Sequence, residues 1–155
     1  MSDAGYRPAV GLMLINADRK VWVGQRLDSK LEAWQMPQGG LDPDEEPLEG
    51  ALRELEEETG VRPDLVQILA QAKEELTYDL PDDLVGKIWK ENWRGQRQTW
   101  FLGRFLGTDE DVDLQTAEPE FRAWKWADPA ELPLLIVPFK KKLYEDVLEA
   151  FADWL

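Results

Sequence analysis

The chain has 155 residues, 32 of them acidic and 18 basic, which gives a formal net charge of −14 at pH 7. It contains neither cysteine nor histidine, which excludes disulfides, zinc and haem sites, and catalytic arrangements that rely on histidine or a thiolate. Any bound metal therefore needs oxygen ligands, as Mg²⁺, Mn²⁺ and Ca²⁺ do.

The same features bear on size, location and partners. A chain of this length fits a single domain, residues 1–155, with its own hydrophobic core. No apolar run reaches the length of a membrane span and the N-terminus carries no signal segment, so we expect a soluble cytoplasmic protein that contacts no membrane. The negative charge argues against an extended nucleic-acid-binding surface, because such surfaces neutralise phosphates with Lys and Arg. It is compatible with a local metal-filled site that attracts phosphates.

The first forty residues predict strands joined by tight turns. An apolar run at 9–15, a turn at 16–18 and a second run at 21–25 are typical of a β-hairpin. A short extended piece at 34–37 then leads into residues 38–40, which we interpret as a loop whose two glycines permit close backbone approach.

The strongest helix signal lies between Pro47 and Gly60. Proline suits the first helical turn, acidic side chains at 45, 46 and 49 complement the positive end of the helix, and glycine commonly ends one. The apolar stripe of this predicted helix consists of Leu48, Ala51, Leu52 and Leu55.

The remaining two thirds of the chain alternate between strands and helices. Strands are predicted around 66–70, 75–78, 98–106 and 121–126, with an irregular insert at 81–94. A single helical turn at 128–132 and an amphipathic closing helix at 139–154 follow. Strands that alternate with two unequal helices indicate an α/β fold with a mixed sheet between the helices.

Three glutamates of the predicted helix, Glu54, Glu57 and Glu58, are spaced to lie near one another. Like charges at this spacing repel by a few tenths of a kcal/mol per pair, so the arrangement needs a reason. A solvated acidic face is the ordinary explanation in an acidic chain. The glycine-rich turn just upstream favours another one, in which the carboxylates bind Mg²⁺ and the cation binds a polyphosphate.

The stretch from Gly39 to Val61 resembles the Nudix box. Its matching residues are Gly39, Glu45, Arg53, Glu54, Leu55, Glu57, Glu58, Gly60 and Val61. This family hydrolyses nucleoside diphosphates linked to another group, and the resemblance implies an α/β/α sandwich that uses two or three Mg²⁺ or Mn²⁺ ions.

The resemblance also implies roles for individual residues. Glu54, Glu57 and Glu58 would be metal ligands, and Glu57 is our first choice for the general base among the three. Arg53 would orient these carboxylates through charge-assisted hydrogen bonds, with Glu45 as its partner. A backbone carbonyl of the 38–40 turn, which we assign to Gly39, would add a ligand.

Segments outside the box resemble one subgroup of the family, the bacterial RNA pyrophosphohydrolases and related dinucleoside tetraphosphate hydrolases. The segments are 5–8, 34–40, 95–101, 119–126 and 137–141, in the same order and across nearly the whole chain. The resemblance implies that Glu120 is a metal ligand delivered by a loop opposite the box helix. It implies that the 5′ phosphates are bound by Arg7, Arg26, Gln38 and Lys140, and that Val137 and Phe139 sandwich a base.

Several of these residues also have ordinary structural explanations. Phe139 could instead open the apolar face of the last helix, Lys140 could be a solvated lysine, and Arg26 could pair with any nearby acid. The segment 95–98 is, by contrast, too polar for a core.

The leading hypothesis is an RNA 5′ pyrophosphohydrolase, which converts 5′-triphosphate or 5′-diphosphate ends to monophosphates and so initiates RNA decay. The alternative is a hydrolase of diadenosine tetraphosphate and related dinucleotides, because both substrates present a nucleoside at one end of a polyphosphate. An inactive nucleotide-sensing module is disfavoured because the box is complete. The sequence indicates no particular activating partner.

Overall fold

The structure, a computed structural model, describes residues 5–27, 32–86, 93–117 and 119–155. Within these ranges the strands are β1 Tyr6–Ile15, β2 Val21–Arg26, β3 Trp34–Gln35, β4 Gln38–Gly40, β5 Val66–Gln71, β6 Leu76–Asp79, β7 Gly95–Phe105 and β8 Phe121–Ala127. The helices are α1 Pro47–Thr59, α2 Leu132–Leu135 and α3 Lys141–Ala150.

The strands form one mixed sheet around β1 and β7. These two run parallel, from the pair Tyr6 and Gly95 to the pair Ile15 and Arg104, and the other pairings are antiparallel. The main order is β3-β2-β1-β7-β5, with β4 on β1, β6 on β7 and β8 on β2. Strand β1 pairs with β4 through Val10 and with β2 through Ile15. The glycine-rich segment is therefore held against the centre of the sheet.

Two hydrophobic clusters cover the two faces of this sheet. Alternate side chains of β1 face opposite ways, so that Leu12 packs in the cluster of Leu55 from α1, and Met13 packs in the cluster of Tyr144 from α3. All four side chains are at most 1% exposed. The result is a three-layer arrangement of helix, sheet and helix, which confirms the α/β fold with a mixed sheet between helices.

Helix α1 has the bounds that its local sequence signals predict, whereas two other segments differ from the prediction. Helix α1 begins at Pro47 and ends at Thr59, with Gly60 in the left-handed conformation at φ 76°. Residues 38–40 were predicted as a loop but form β4, since their pairing with β1 depends on distant residues. The closing helix is shorter than predicted because tight 3₁₀ turns at Pro138–Lys140 and Ala152–Trp154 flank it.

Positions 87–92, within the predicted irregular insert, lie outside the described residues. Among the helices that are described, none combines the length and apolar character needed to cross a membrane.

Candidate active site

A cleft of about 700 Å³ opens over the sheet and brings distant parts of the chain together. Its lining includes these predicted site residues: Arg7, Arg26, Gln38, Gly39, Glu54, Glu120, Val137, Phe139 and Lys140. The other three, Arg53, Glu57 and Glu58, do not line it. They connect to it through hydrogen bonds to Glu54, Gly40 and Gln38.

The three glutamates of α1 occupy three different environments. The Glu54 side chain is 13% exposed, whereas that of Glu57 is 58% exposed. Glu58 is buried, at 1% exposure. The spacing along the helix therefore brings the carboxylates near one another while only Glu57 remains largely in water.

Arg53 organises this group with a complete set of hydrogen bonds. Its Nε and Nη2 donate to the two carboxylate oxygens of Glu45 at 2.7 and 2.9 Å. Its Nη1 donates to Glu54 at 3.0 Å and to Glu57 at 3.1 Å, and Nη2 also donates to the Gly40 carbonyl at 3.0 Å. A guanidinium has five N–H groups, so all of them are used. The ion pair with Arg53 lowers the pKa of Glu45 below its usual range.

Any side chain larger than hydrogen at position 39 would displace the Glu54 carboxylate from its present position. A Cβ placed on Gly39 would lie 2.2 Å from the Glu54 carboxyl carbon, far inside van der Waals contact. The backbone of β4 can therefore approach the carboxylate directly, which is the arrangement that a shared cation would require.

The buried carboxylates are strongly perturbed. Burial raises the pKa of Glu54 to about 7, against the opposing effect of Arg53, and the charges of Glu57 and Glu120 raise it further. Burial likewise raises the pKa of Glu58 well above its usual range, and Glu120 and Glu54 add to the effect. Glu54 and Glu58 thus lie where ionisation of both carboxylates is unfavourable without a nearby positive charge.

The donor set fits a hard divalent cation. Glu58 Oε2 accepts a hydrogen bond from the Gln38 backbone N–H at 3.1 Å, but Oε1 is buried with no donor among the described residues. Such an oxygen is costly to leave unsatisfied, and carboxylate oxygens are the ligands that Mg²⁺ and Mn²⁺ take. In the described part of the chain, no three acidic side chains form a complete metal-binding group; Arg53 instead holds Glu54 and Glu57.

The cleft also has a cationic and aromatic part. Lys140 is only 8% exposed, and its Nζ lies 5.0 Å from the centre of the Tyr78 ring and 5.9 Å from that of Phe139. The interpretation of Lys140 as an ordinary solvated lysine is therefore wrong. Burial, followed by the charge of Arg26, lowers the pKa of Lys140 to about 8.

The position of Phe139 also bears on its two explanations. It lies in the 3₁₀ turn before α3, not on the helix itself, and its ring centre is 6.0 Å from that of Tyr78. With Val137 it lines the cleft while also packing against the core. Tyr78 was not singled out from the sequence, because only the pairing of β6 with β7 brings it here.

A row of hydrogen-bonded amides, two of which line the cleft, is also missing from the sequence prediction. Gln98 is fully buried behind the lining and Gln96 is 3% exposed, so all of the segment 95–98 except the partly buried Arg97 lies in the interior despite its polarity. Trp100 Nε1 donates to Gln98 Oε1 at 2.8 Å, and Gln98 Nε2 donates to Gln38 Oε1 at 2.7 Å and to Gln96 Oε1 at 2.8 Å. Mutual hydrogen bonding is what allows these polar groups to be buried.

The sequence is similar to known proteins over nearly its full length. The NUDIX domain model matches residues 5–147. A protein named RNA pyrophosphohydrolase from Sphingopyxis alaskensis is 56% identical over 146 residues, which cover 94% of this chain and 92% of that one. Another of the same name from Zymomonas mobilis is 56% identical over 152 residues, which cover 98% of each.

Solved structures agree on the architecture. The E. coli dihydroneopterin triphosphate pyrophosphohydrolase superposes with a TM-score of 0.69 at 18% identity, covering 91% of this chain and 95% of that chain. A C. elegans Ap4A hydrolase in a binary complex gives a TM-score of 0.65 at 19% identity, covering 95% and 99%. At these identities the likeness concerns the fold alone.

Proposed function

This chain belongs to the NUDIX family, and on that premise we propose that it is an RNA 5′ pyrophosphohydrolase. It acts on phosphoanhydride bonds, converting 5′-triphosphate or 5′-diphosphate RNA ends to 5′-monophosphates, and the monophosphorylated end then starts RNA decay. Its relatives at 51–56% identity carry the corresponding name and match it nearly end to end.

The observation that carries the proposal is the composition of a single cleft. Acidic residues and a glycine backbone lie on one part of its lining, and Arg7, Arg26 and Lys140 are on the same lining. Val137 and Phe139 add apolar surface against which a base can stack. A polyphosphate with a nucleoside attached has the chemistry to use all of these groups at once.

The chain's own residues would hold the reacting groups as follows. Glu54, Glu58 and Glu120, with the Gly39 backbone, would bind Mg²⁺ or Mn²⁺, which supplies positive charge to the phosphates and lowers the pKa of an attacking water. Arg53 holds Glu54 and Glu57 in place through its hydrogen bonds. The basic side chains of the cleft bind and orient the phosphates for in-line attack.

Glu57 is the best placed of the three glutamates to act as base. It is the most exposed of them, so its carboxylate is accessible to the attacking water, whereas burial favours the neutral forms of Glu54 and Glu58. We assign proton abstraction from the attacking water to Glu57, which could also serve as a ligand.

The test compares two substrates with Mg²⁺ present: a short 5′-triphosphorylated RNA and diadenosine tetraphosphate. We expect faster turnover of the RNA by the unmodified protein. Glu57→Gln should lower phosphate release from the RNA by about 10²–10⁴-fold with an unchanged melting temperature, since its side chain is mostly in water. Unchanged turnover in this variant would refute the assigned base, and exclusive hydrolysis of the dinucleotide would refute the RNA substrate.

Phe139→Ala separates the two substrates further. If Phe139 stacks on a base beyond the first nucleotide, its removal should raise KM for RNA by about tenfold, equivalent to one stacking contact, and change dinucleotide hydrolysis less. Equal losses on both substrates would count against the RNA assignment.

A further inference from the structure

The side-chain amides of Gln98, Gln38 and Gln96 form a hydrogen-bonded row, here called the amide wall. The indole of Trp100 fixes which end of each amide faces its neighbour. An indole N–H can only donate a hydrogen bond, so the atom of Gln98 that faces Trp100 at 2.8 Å is its oxygen. The nitrogen of Gln98 must then face the other way. It lies 2.7 Å from Gln38 and 2.8 Å from Gln96.

The same reasoning fixes the orientation of Gln38 and Gln96, the two partners of the Gln98 nitrogen. An amide nitrogen has two N–H groups and accepts no hydrogen bond. Both atoms that face it must therefore be oxygens, which fixes the orientation of Gln38 and Gln96. The nitrogens of those two residues are left for the cleft, which both side chains line, and among the described residues neither nitrogen donates elsewhere in the protein.

A neighbouring glutamine points to the same ligand chemistry. Gln35 is 6% exposed and also lines the cleft. Its Nε2 is buried with no hydrogen-bond partner in the described part of the chain, and a buried donor of this kind needs an acceptor. With Arg7, Arg26 and Lys140 on the same lining, this part of the cleft is rich in donors.

We propose that Trp100 and Gln98 are positioning residues that lock the amides of Gln38 and Gln96 with their N–H groups toward the cleft. A polyphosphate offers only acceptors at neutral pH, so a locked donor wall binds it without first turning any amide. This inference rests on the proposed function for the identity of the ligand, but the amide orientation itself can be tested without any reaction.

The first test removes the central amide. Gln98→Met keeps the length of the side chain and abolishes every hydrogen bond of the row, so Gln38 and Gln96 can present either end. We expect the Kd for inorganic tripolyphosphate and the KM for triphosphorylated RNA to rise about tenfold, with kcat within about twofold. Gln67→Met, the same change at an exposed position of β5, is the matched control and should change none of these values.

A double-mutant cycle shows whether Gln98 affects binding by orienting Gln38 or by a general change in local structure. If Gln98 acts through Gln38, then Gln98→Met should raise the Kd less in a Gln38→Met background than in the unmodified protein. Independent, multiplicative losses would overturn the inference, and so would an unchanged Kd in a folded Gln98→Met variant.

The second test observes the amides directly and needs no variant to fold. In the ¹⁵N-labelled protein, the side-chain NH₂ signals of Gln38 and Gln96 should shift when tripolyphosphate is added, while that of Gln98 shifts much less. The largest shift at Gln98 would overturn the inference. Failure of the protein to hydrolyse RNA ends, with these shifts present, would instead refute the proposed function alone.

Discussion

Lys140 places a positive charge almost entirely inside the protein. Its ammonium has the faces of Tyr78 and Phe139 as neighbours, and its pKa falls from an ordinary 10.5 to about 8. Below pH 8 the side chain is charged in the folded protein and the cost of burying that charge is fully present. The cost shrinks as the pH rises from 8 to 10.5, because the folded protein no longer carries the proton. Lys140 therefore lowers stability at neutral pH, which is consistent with retention for binding.

At the residue scale, we predict that Lys140→Met raises the free energy of unfolding at pH 7 and also raises the KM for RNA. Removal of the buried charge should increase the free energy of unfolding at pH 7 by about 1–3 kcal/mol, and the gain should fall toward zero by about pH 10.5. The KM for triphosphorylated RNA should rise at least about tenfold. Urea unfolding at pH 7 and pH 10, with Lys141→Met as the exposed control, provides the measurement. A variant less stable than the unmodified protein at pH 7 would contradict the assignment.

Single residues show where the sequence was sufficient and where it was not. The partnership of Arg53 with Glu45 follows from the resemblance to the Nudix box, and the two side chains form a bidentate pair in the structure. The burial of Gln98 was not, because polarity alone suggests exposure. Hydrogen bonds to the indole of Trp100, to Gln96 and to Gln38, which is sixty positions away, make that burial favourable.

Helix α1 is ended by Gly60, the residue that follows Thr59. Gly60 adopts φ 76°, and a Cβ there would lie 2.8 Å from the Asp113 carbonyl oxygen. Its N–H donates to the Glu56 carbonyl at 2.9 Å and closes the helix. The turn that carries Glu57 and Glu58 therefore ends against a fixed loop.

For helix α1, we predict that Gly60→Ala lowers the free energy of unfolding by about 1–3 kcal/mol. About 1 kcal/mol comes from the left-handed backbone, and the rest from the steric contact with Asp113. Glu56→Ala, at an exposed position of the same helix, should stay within about 0.5 kcal/mol. Chemical denaturation of the two variants makes the comparison, and equal stability would show that the loop yields without cost.

The sequence predicts the elements that have strong local signals, whereas it misses two segments that become strands only through pairing with β1. Proline at the start and glycine at the end delimited α1 to the residue, since both act through the backbone of their own turn. Strand β4 and the first three residues of β7 have no such signal. Glycines and glutamines are poor strand formers, and β1 recruits them by hydrogen bonds from elsewhere in the chain.

At the scale of the whole molecule, the charge of −14 favours recognition that is confined to the cleft. We expect the acidic protein to repel the rest of a long RNA whose 5′ end is bound in the cleft. The α/β architecture could be predicted because alternating strands and helices leave few ways to bury both helices. The position of the cleft could not, because it depends on which strands become neighbours.

For the whole molecule, we predict how KM depends on RNA length and on salt concentration. Extending a triphosphorylated RNA from about 4 to about 20 nucleotides should leave KM unchanged or slightly raised. Raising monovalent salt from about 50 to about 200 mM should raise KM by no more than about twentyfold, as expected for about three phosphate-binding side chains, in contrast to the 10³–10⁵-fold loss for proteins that neutralise 6–10 phosphates. Steady-state kinetics on a length series at two salt concentrations tests both statements, and a KM that falls steeply with length would disprove them.

The parallel pairing of Tyr6 with Gly95 has a consequence for synthesis on the ribosome. More than half of the polypeptide must emerge before the central strand gains this neighbour, and Phe139 and Lys140 emerge later still. A nascent chain that stops after α1 carries Glu54, Glu57 and Glu58 but lacks Glu120 and the far side of the cleft. We therefore expect no hydrolysis until Phe139 and Lys140 have also left the ribosome.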